Sequence, residues 1–493
     1  MPTEANTHSG GHNSSRSLAI RGSMWTMFGY GGSQVLRLGS NLILARLLFP
    51  EAFGLMALVN VFMHGLQMFS DVGLGPSIIQ NKRGRETSFL RTAWTIQVVR
   101  GVILWLASCA LALPAAAFFS VSDPMAESLA MMLPVAGMTA LIAGFTSTGV
   151  FLLNRSMSLG RLTGLEMVSQ AVSIGVMIGW ALVYPSVWAL VAGGLAFSFT
   201  RMVLSHFLNP GPGDWFAWDR SCAGELFKFG KWIFLSTLVT FLATNLDRLM
   251  LGRLLSMAEL GVYSIGMTFA RVAIHTSSKL STLVIFPLLS RLQDEPDRLV
   301  NACLKARRPV LWVSGAVCAG FAMGAPLFFE TLYDQRYHEA GRISQWLALY
   351  TWTHVLVSSM DRIPLSLGKP RVLFTANLIT TCCMALALPG YMLMGLQGFI
   401  LGMALSNIAA HIYLLSTLPF GRRAMVLQST GFTVGLFVYS LPLIILLRSI
   451  DIQQSPLMHA LTVGMAASPL VLAGAWFAWK AVKSKDKQEK SRS

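Results

Sequence analysis

Residues 23–79 read SMWTMFGYGGSQVLRLGSNLILARLLFPEAFGLMALVNVFMHGLQMFSDVGLGPSII. The two apolar stretches in it, 23–46 and 52–79, are each long enough to cross a bilayer, which takes about 20 residues of helix. Both carry polar residues at helical spacing: Tyr30, Ser33, Gln34, Arg37, Ser40 and Asn41 in the first, and Asn60, His64, Gln67 and Asp71 in the second. The pattern returns at Ser264, Thr268, Arg271, His275, Ser278, Lys279 and Thr282. Charge at membrane depth is costly, so such side chains face a bundle interior or a wet cavity. A hydrophilic chamber within a membrane protein, and hence a transporter, is the expectation.

Composition supports the membrane setting. Of 493 residues 54% are hydrophobic and only 12% charged, against about 25% charged in soluble domains, and the mean hydropathy is +0.58. Lipid admits only helices or closed barrels, and continuous apolar runs select helices over the alternating segments of a barrel. The chain reads as an all-α polytopic membrane protein of about 14 transmembrane helices. The spans are 23–46, 52–79, 89–119, 126–153, 163–184, 186–207, 228–251, 258–289, 309–329, 343–367, 372–394, 396–418, 429–448 and 457–479.

The net charge of +16 is distributed as membrane topology demands, which argues against nucleic acid as a partner. With both termini in the cytoplasm, 26 of the 38 Lys and Arg fall in inner loops and tails and five fall outside, in keeping with the positive-inside rule. The inner set includes Arg307 and Arg308, read as loop residues before the ninth span. No cleavable signal peptide is expected at the polar start. The tail KAVKSKDKQEKSRS reads as a lipid-facing anchor. Six cysteines form neither a disulfide framework nor a metal motif, and no cofactor or metal is expected.

The domain reading is a tail (1–22), a first lobe of six helices (23–207), a Pro- and Gly-rich linker (208–227), a second lobe of six (228–418), two added helices (419–480) and a basic tail (481–493). RLLFPEAFGL at 46–55 aligns without gaps on RLLSMAELGV at 253–262, an offset of 207. The same offset places Arg37 on Thr244, Ser40 on Asp247, Asn41 on Arg248, His64 on Arg271 and Asp71 on Ser278. An even number of helices separates the copies, so the repeat is parallel, with a pseudo-two-fold along the membrane normal. Substrate sites in such folds are expected between the halves near the midplane.

The stretches GSMWTMFGYGGSQVLRLGSNLILARLLFPEAFGLMALVNVFMHGLQMFSDVGLGPSIIQ and FGKWIFLSTLVTFLATNLDRLMLGRLLSMAELGVYSIGMTFAR resemble the polysaccharide transporter branch of the MOP (MATE-like) superfamily, the Wzx-type flippases. That resemblance implies two six-helix lobes in a bacterial inner membrane. It also implies a lipid-linked oligosaccharide cargo on an undecaprenyl pyrophosphate carrier, moved from the cytoplasmic to the periplasmic leaflet. Such a flippase would serve exopolysaccharide, capsule or O-antigen synthesis, with a polysaccharide polymerase and a chain-length regulator as further partners.

A pyrophosphate calls for cations, because arginine presents a planar fork to phosphate oxygens. Arg37, Arg248, Arg271 and Lys279 are the expected chamber cations, with Arg91 and Arg100 nearer the cytoplasmic mouth. Gln34, Asn41, Asn60, Gln67, Thr244 and Asn245 are the expected sugar-facing polar residues. Asp71, Asp247, Glu166, His64 and His275 are the candidates for ion coupling, since buried carboxylates and histidines exchange protons or bind ions. For each, a structural reading stands beside the functional one: snorkelling for terminal arginines, interhelical packing for Ser, Thr and Asn, and a structural ion pair for Asp247 with Arg248. The sequence holds no nucleophile–base pair or phosphate loop, so an enzyme is not expected. A drug/cation antiporter of the same superfamily and a flippase for lipid-linked peptidoglycan precursor are the alternative readings.

Overall fold

A computed structural model describes residues 29, 31–70, 73–285, 288–289, 296–418, 421–448 and 462–463. Every regular element among them is helical, and nine helices are long and apolar enough to cross a membrane. The span read at 457–479, both tails and Asp71 lie outside the described residues, Thr462 and Val463 apart. The chain forms two compact units. The first runs to Leu238 and takes in Arg248–Gly261; the second comprises Val239–Asp247 and everything from Val262.

The first unit holds α1 (residues 31–47), α2 (Pro50–Phe69), α3 (Leu74–Gln80), α4 (Thr87–Phe119), α5 (Leu129–Gly144), α6 (Gly149–Arg155), α7 (Leu159–Val183) and α8 (Trp188–Phe207). Pro50 occupies the first turn of α2, where a missing N–H costs nothing. Gly73, at φ 67°, breaks the single span expected at 52–79 into α2 and α3, a backbone region that glycine enters without penalty. Small residues let helices close on one another, as membrane interfaces favour. Gly101 of α4 lies against Gly144 of α5, and Gly137 of α5 lies against Ser108 of α4. Gln97 finishes α5 by donating to the carbonyls of Gly144 (3.1 Å) and Thr146 (2.7 Å), groups a helix end leaves unpaired.

The next helix, α9 (Arg220–Leu254), starts inside the stretch read as linker. Asp219 is the cause: its carboxylate accepts from the N–H groups of Ser221 (2.8 Å) and Cys222 (3.3 Å), a capping arrangement. Residues 208–219 are an ordered strap over the first unit. Thr95 donates to Ala217 O and accepts from Ala217 N, Thr92 accepts from Asp219 N, and Trp94 packs edge-on against Phe216. Asp214, only 3% exposed at its side chain, accepts from Thr148 Oγ1 at 2.7 Å and Asn209 Nδ2 at 3.3 Å.

The second unit carries most of α10 (Met257–Leu280), then α11 (Pro296–Leu332), α12 (Glu339–Ser358), α13 (Arg362–Ser366), α14 (Pro370–Cys383), α15 (Ala387–Ser416) and α16 (Arg422–Arg448). Within α15 the backbone leaves helical geometry at Met394 and Gly395, where Gly395 has φ 61°. Gly390 and Gly398 meet backbone to backbone across that break, so the chain doubles back as a tight hairpin. A packed cluster joins Ala273 of α10 to Leu311, Trp352, Val355 and Leu356, with Phe432 against it.

Arg307 requires a correction. It was read as an inner-loop residue, but α11 extends through Pro309 and buries Arg307 completely. Its Nε donates to Ser359 Oγ at 2.9 Å and its Nη1 to Ser429 Oγ at 3.0 Å. Its Nη2 is buried with no hydrogen-bond partner.

Candidate functional site

In the first unit α2 buries Phe53, Leu55, Leu58, Val59 and Val61 and exposes Asn60, His64 and Gln67. These three recur at four and three residues, one line along a helix. The exposed face of α4 is quite different, with Val99, Ile103, Leu106 and Leu113. An apolar exposed face suits lipid, whereas a polar one within an apolar helix suits water or a hydrophilic ligand. On α1, Arg37 is exposed while Gln34 and Asn41 are half-buried. Ser33 and Gln170 of α7 hold α1 in place: Ser33 Oγ donates to Gln170 Oε1 (2.8 Å) and Gln170 Nε2 returns to Ser33 O (3.1 Å).

Arg100 stands at the end of the α2 stripe. Its Nη2 donates to Gln67 O at 2.7 Å and its Nε to Ser70 Oγ at 2.8 Å, so it ties the last turn of α2 to α4. Arg91 donates to Gly213 O of the strap at 3.3 Å. Glu166 is exposed on α7 and pairs with Arg201 of α8 at 3.1 Å. Arg248, which clusters with this unit, is 9% exposed and its Nε has no hydrogen-bond partner.

In the second unit α10 buries Val262, Tyr263, Ile265, Met267, Ala270 and Ala273. His275 and Lys279 are exposed and Arg271 is half-buried, again one line at intervals of four. Thr244 is exposed and donates to Thr240 O at 2.8 Å. Asn245 is buried and donates to Thr244 Oγ1 at 3.0 Å.

Asp247 is 4% exposed. The ion pair considered with Arg248 is absent among the described residues; Tyr263 Oη instead donates to Asp247 Oδ2 at 2.8 Å. Its Oδ1 is buried without a hydrogen-bond partner. Sequence reasoning missed Tyr263, because a tyrosine in an apolar helix gives no sign of which acid it reaches.

The two stripes differ in charge. That of α2 offers amides and an imidazole, while that of α10 offers a guanidinium, an imidazole and an ammonium. Taken singly, the α2 stripe suits hydroxyls and the α10 stripe suits negative charge. Among the described residues no group of three His, Cys, Asp or Glu could hold a metal ion.

Beside the strap, electrostatics are local and exposed. Asn81 Nδ2 and Arg83 Nη1 hold Glu225 at 2.7 and 3.0 Å, and these bonds keep its carboxyl below the usual range. The N–H groups at the start of α9 do the same for Asp219. Arg83, bound by Glu86 and then Glu225, is pushed above its ordinary value.

Residues 43–342 match the family described as "Polysaccharide biosynthesis protein". The teichuronic acid biosynthesis protein TuaB of Bacillus subtilis is 21% identical over 62% of this chain and 63% of its own length. The chain thus spans under two thirds of that relative. The lipopolysaccharide biosynthesis protein WzxC of Escherichia coli is 20% identical over 80% of this chain and 79% of its own. Among solved structures, the lipid II flippase MurJ in an inward closed conformation superposes with a TM-score of 0.68 at 15% identity, covering 92% of this chain and 98% of that one. At that identity the likeness speaks for the fold.

Proposed function

This chain belongs to the polysaccharide biosynthesis protein family, and on that premise we propose that it is a flippase for lipid-linked oligosaccharide. Its cargo is an undecaprenyl-pyrophosphate-linked repeat unit, carried from the cytoplasmic to the periplasmic leaflet of a bacterial inner membrane by ion-coupled alternating access. There a polysaccharide polymerase and a chain-length regulator would take it up. The observation that carries this reading is the pair of polar stripes, exposed Asn60–His64–Gln67 and half-buried Arg271 with exposed His275 and Lys279, on helices long and apolar enough to span a membrane.

In this mechanism Arg271 and Lys279, with Arg37 and Arg248, neutralise the pyrophosphate. Guanidinium groups suit phosphate because they donate two parallel hydrogen bonds. Asn60, Gln67, Gln34, Asn41, Thr244 and Asn245 replace the water that sugar hydroxyls leave behind. Arg91 and Arg100 shape the cytoplasmic mouth through the strap and the end of α2. Coupling falls to Asp247, whose buried carboxylate has one oxygen on Tyr263 and one unpaired. Asp71, Glu166, His64 and His275 are the further candidates.

The test is transbilayer movement of an undecaprenyl-pyrophosphate oligosaccharide in proteoliposomes, with and without an imposed proton or sodium gradient. Wild type should move the lipid, a gradient should speed it, and Arg271→Ala should slow it by roughly tenfold or more, as loss of a charged hydrogen bond implies. Movement of peptidoglycan precursor or export of a cationic drug, with none of the oligosaccharide lipid, would overturn the reading.

A further inference from the structure

Helices α11 and α16 leave a groove of about 640 Å³ between them, within the roughly 300–1,000 Å³ of sites that hold small molecules. Trp312, Trp352, Phe432 and Leu436 form its apolar wall, and Arg308 and Gln428 mark one end. Exposed glycines 431 and 435 keep the side open along α16. Among the described residues no aspartate or glutamate lines it.

The polar end has a second, hidden charge. Arg307 lies beneath Gln428, whose Oε1 is 3.5 Å from its Nη1. Its side chain is wholly buried, and among the described residues no acid pairs with it or with Arg308. Nearby, His411 Nε2 shares a hydrogen bond of 3.2 Å with Ser429 Oγ, while His411 Nδ1 is buried with no partner. A buried cation held only by neutral hydroxyls and an amide is poorly compensated. It lies behind Gln428 at the groove's polar end, where an anion would offset it.

We propose that this groove holds one resident anionic phospholipid. Its phosphate rests against Arg308, with the charge of Arg307 behind, and an acyl chain lies along Trp312, Phe432 and Leu436. The lipid is structural rather than cargo, because no described lining residue comes from α9 or α10, where the second unit's polar stripe lies. It bears on that stripe all the same. Trp352, a groove wall, packs in one cluster with Ala273, which stands between Arg271 and His275 on α10. Filling the groove braces the helix that carries the cations.

The experiment is native mass spectrometry of the full-length protein in detergent, with phosphatidylglycerol, phosphatidylethanolamine or undecaprenyl phosphate added in turn and in competition. Wild type should retain one phosphatidylglycerol per chain, roughly tenfold more tightly than phosphatidylethanolamine. Arg308→Ala, at an exposed position, should abolish that preference. Gly431→Leu should exclude both phospholipids with an unchanged melting temperature in lipid-free detergent, because a β-carbon there meets nothing within 4 Å. Equal retention of the two phospholipids, or phosphatidylglycerol still bound by Gly431→Leu, would overturn the proposal. So would displacement of phosphatidylglycerol by equimolar undecaprenyl phosphate, which would make the groove a seat for the carrier.

Discussion

Gly54 and Gly261 face each other where α2 and α10 cross, and neither helix has room for a side chain there. A β-carbon on Gly54 would strike the carbonyl of Met257, and one on Gly261 would strike the carbonyl of Pro50. The two clashes are equivalent under the offset of 207, which carries Pro50 to Met257 and Gly54 to Gly261. The contact maps onto itself under that offset, as an isologous contact does. It lies within the first unit, which takes in α10 as far as Gly261.

Alanine at either glycine should therefore push the crossing apart. Overpacking costs about 1–3 kcal/mol, partly offset by the roughly 1 kcal/mol that alanine gains over glycine in a helix. The double variant should cost less than the sum of the singles, because one displacement relieves both clashes. Melting of the four proteins in one detergent checks the cycle; strict additivity would mean the two sites do not share a displacement.

Gln97→Leu should strip the end of α5 of its side-chain donor. Leaving buried carbonyls unpaired costs about 1–3 kcal/mol. Hydrogen exchange should accelerate at residues 145–150, where the backbone turns from α5 to α6, and stay unchanged in α7 and α8.

The strap should loosen in acid. Asp219 and Glu225 are both held below their ordinary values, so the stability they confer is present above the unfolded carboxylate range, about pH 4. It is lost as the pH falls through the lower folded values. Arg83 is charged throughout and adds no slope of its own. Exchange protection of residues 208–227 should be steady from pH 7 to about 5 and fall below about 4. Glu225→Gln should lower protection at pH 7 and flatten the dependence.

Tyr263→Phe should cost stability and slow transport, because it leaves both oxygens of a buried carboxylate unpaired. The loss of a hydrogen bond to a buried charge is worth roughly 1.5–3 kcal/mol. Asp247→Asn in the same background should recover part of the stability, since the charge goes with its partner. A double variant as unstable as the sum of the singles would show that the two residues act separately.

Much of the helical layout is legible in the sequence, because apolar run length sets it. The spans read at 89–119, 163–184 and 186–207 fall on α4, α7 and α8 at Thr87–Phe119, Leu159–Val183 and Trp188–Phe207. The interruption at Gly73 was legible too, because the glycines of DVGLG (71–75) with Pro76 mark a break in the second span; its left-handed backbone was not. Nor was the order of the strap. Its partners, Thr92, Thr95 and Thr148, are far away in sequence, and nothing local marks them as partners.

The helical spacing of the polar residues was legible, and Asn60, His64, Gln67, His275 and Lys279 are exposed, whereas Ser264 is buried. The hydrogen-bond partners were not legible: nothing local joins Arg100 to Ser70 or Asp247 to Tyr263. Arg307 was misplaced because the ninth apolar span was read as starting only at residue 309. The helix instead runs through Pro309 and Pro326.

The bonds of Arg307 set an order on synthesis. One of its hydroxyl partners, Ser359, follows 52 residues later and the other, Ser429, 122 residues later. At about 5–20 residues per second, the ribosome takes roughly 6–24 s after Arg307 to supply Ser429. Throughout that interval α11 carries an arginine whose final seat does not yet exist. The helix must wait in the insertion machinery, or lie shallow with its charge in the headgroups, and settle only when α16 emerges. A chain truncated before residue 422 would strand that charge, and quality-control proteases should recognise it first at α11.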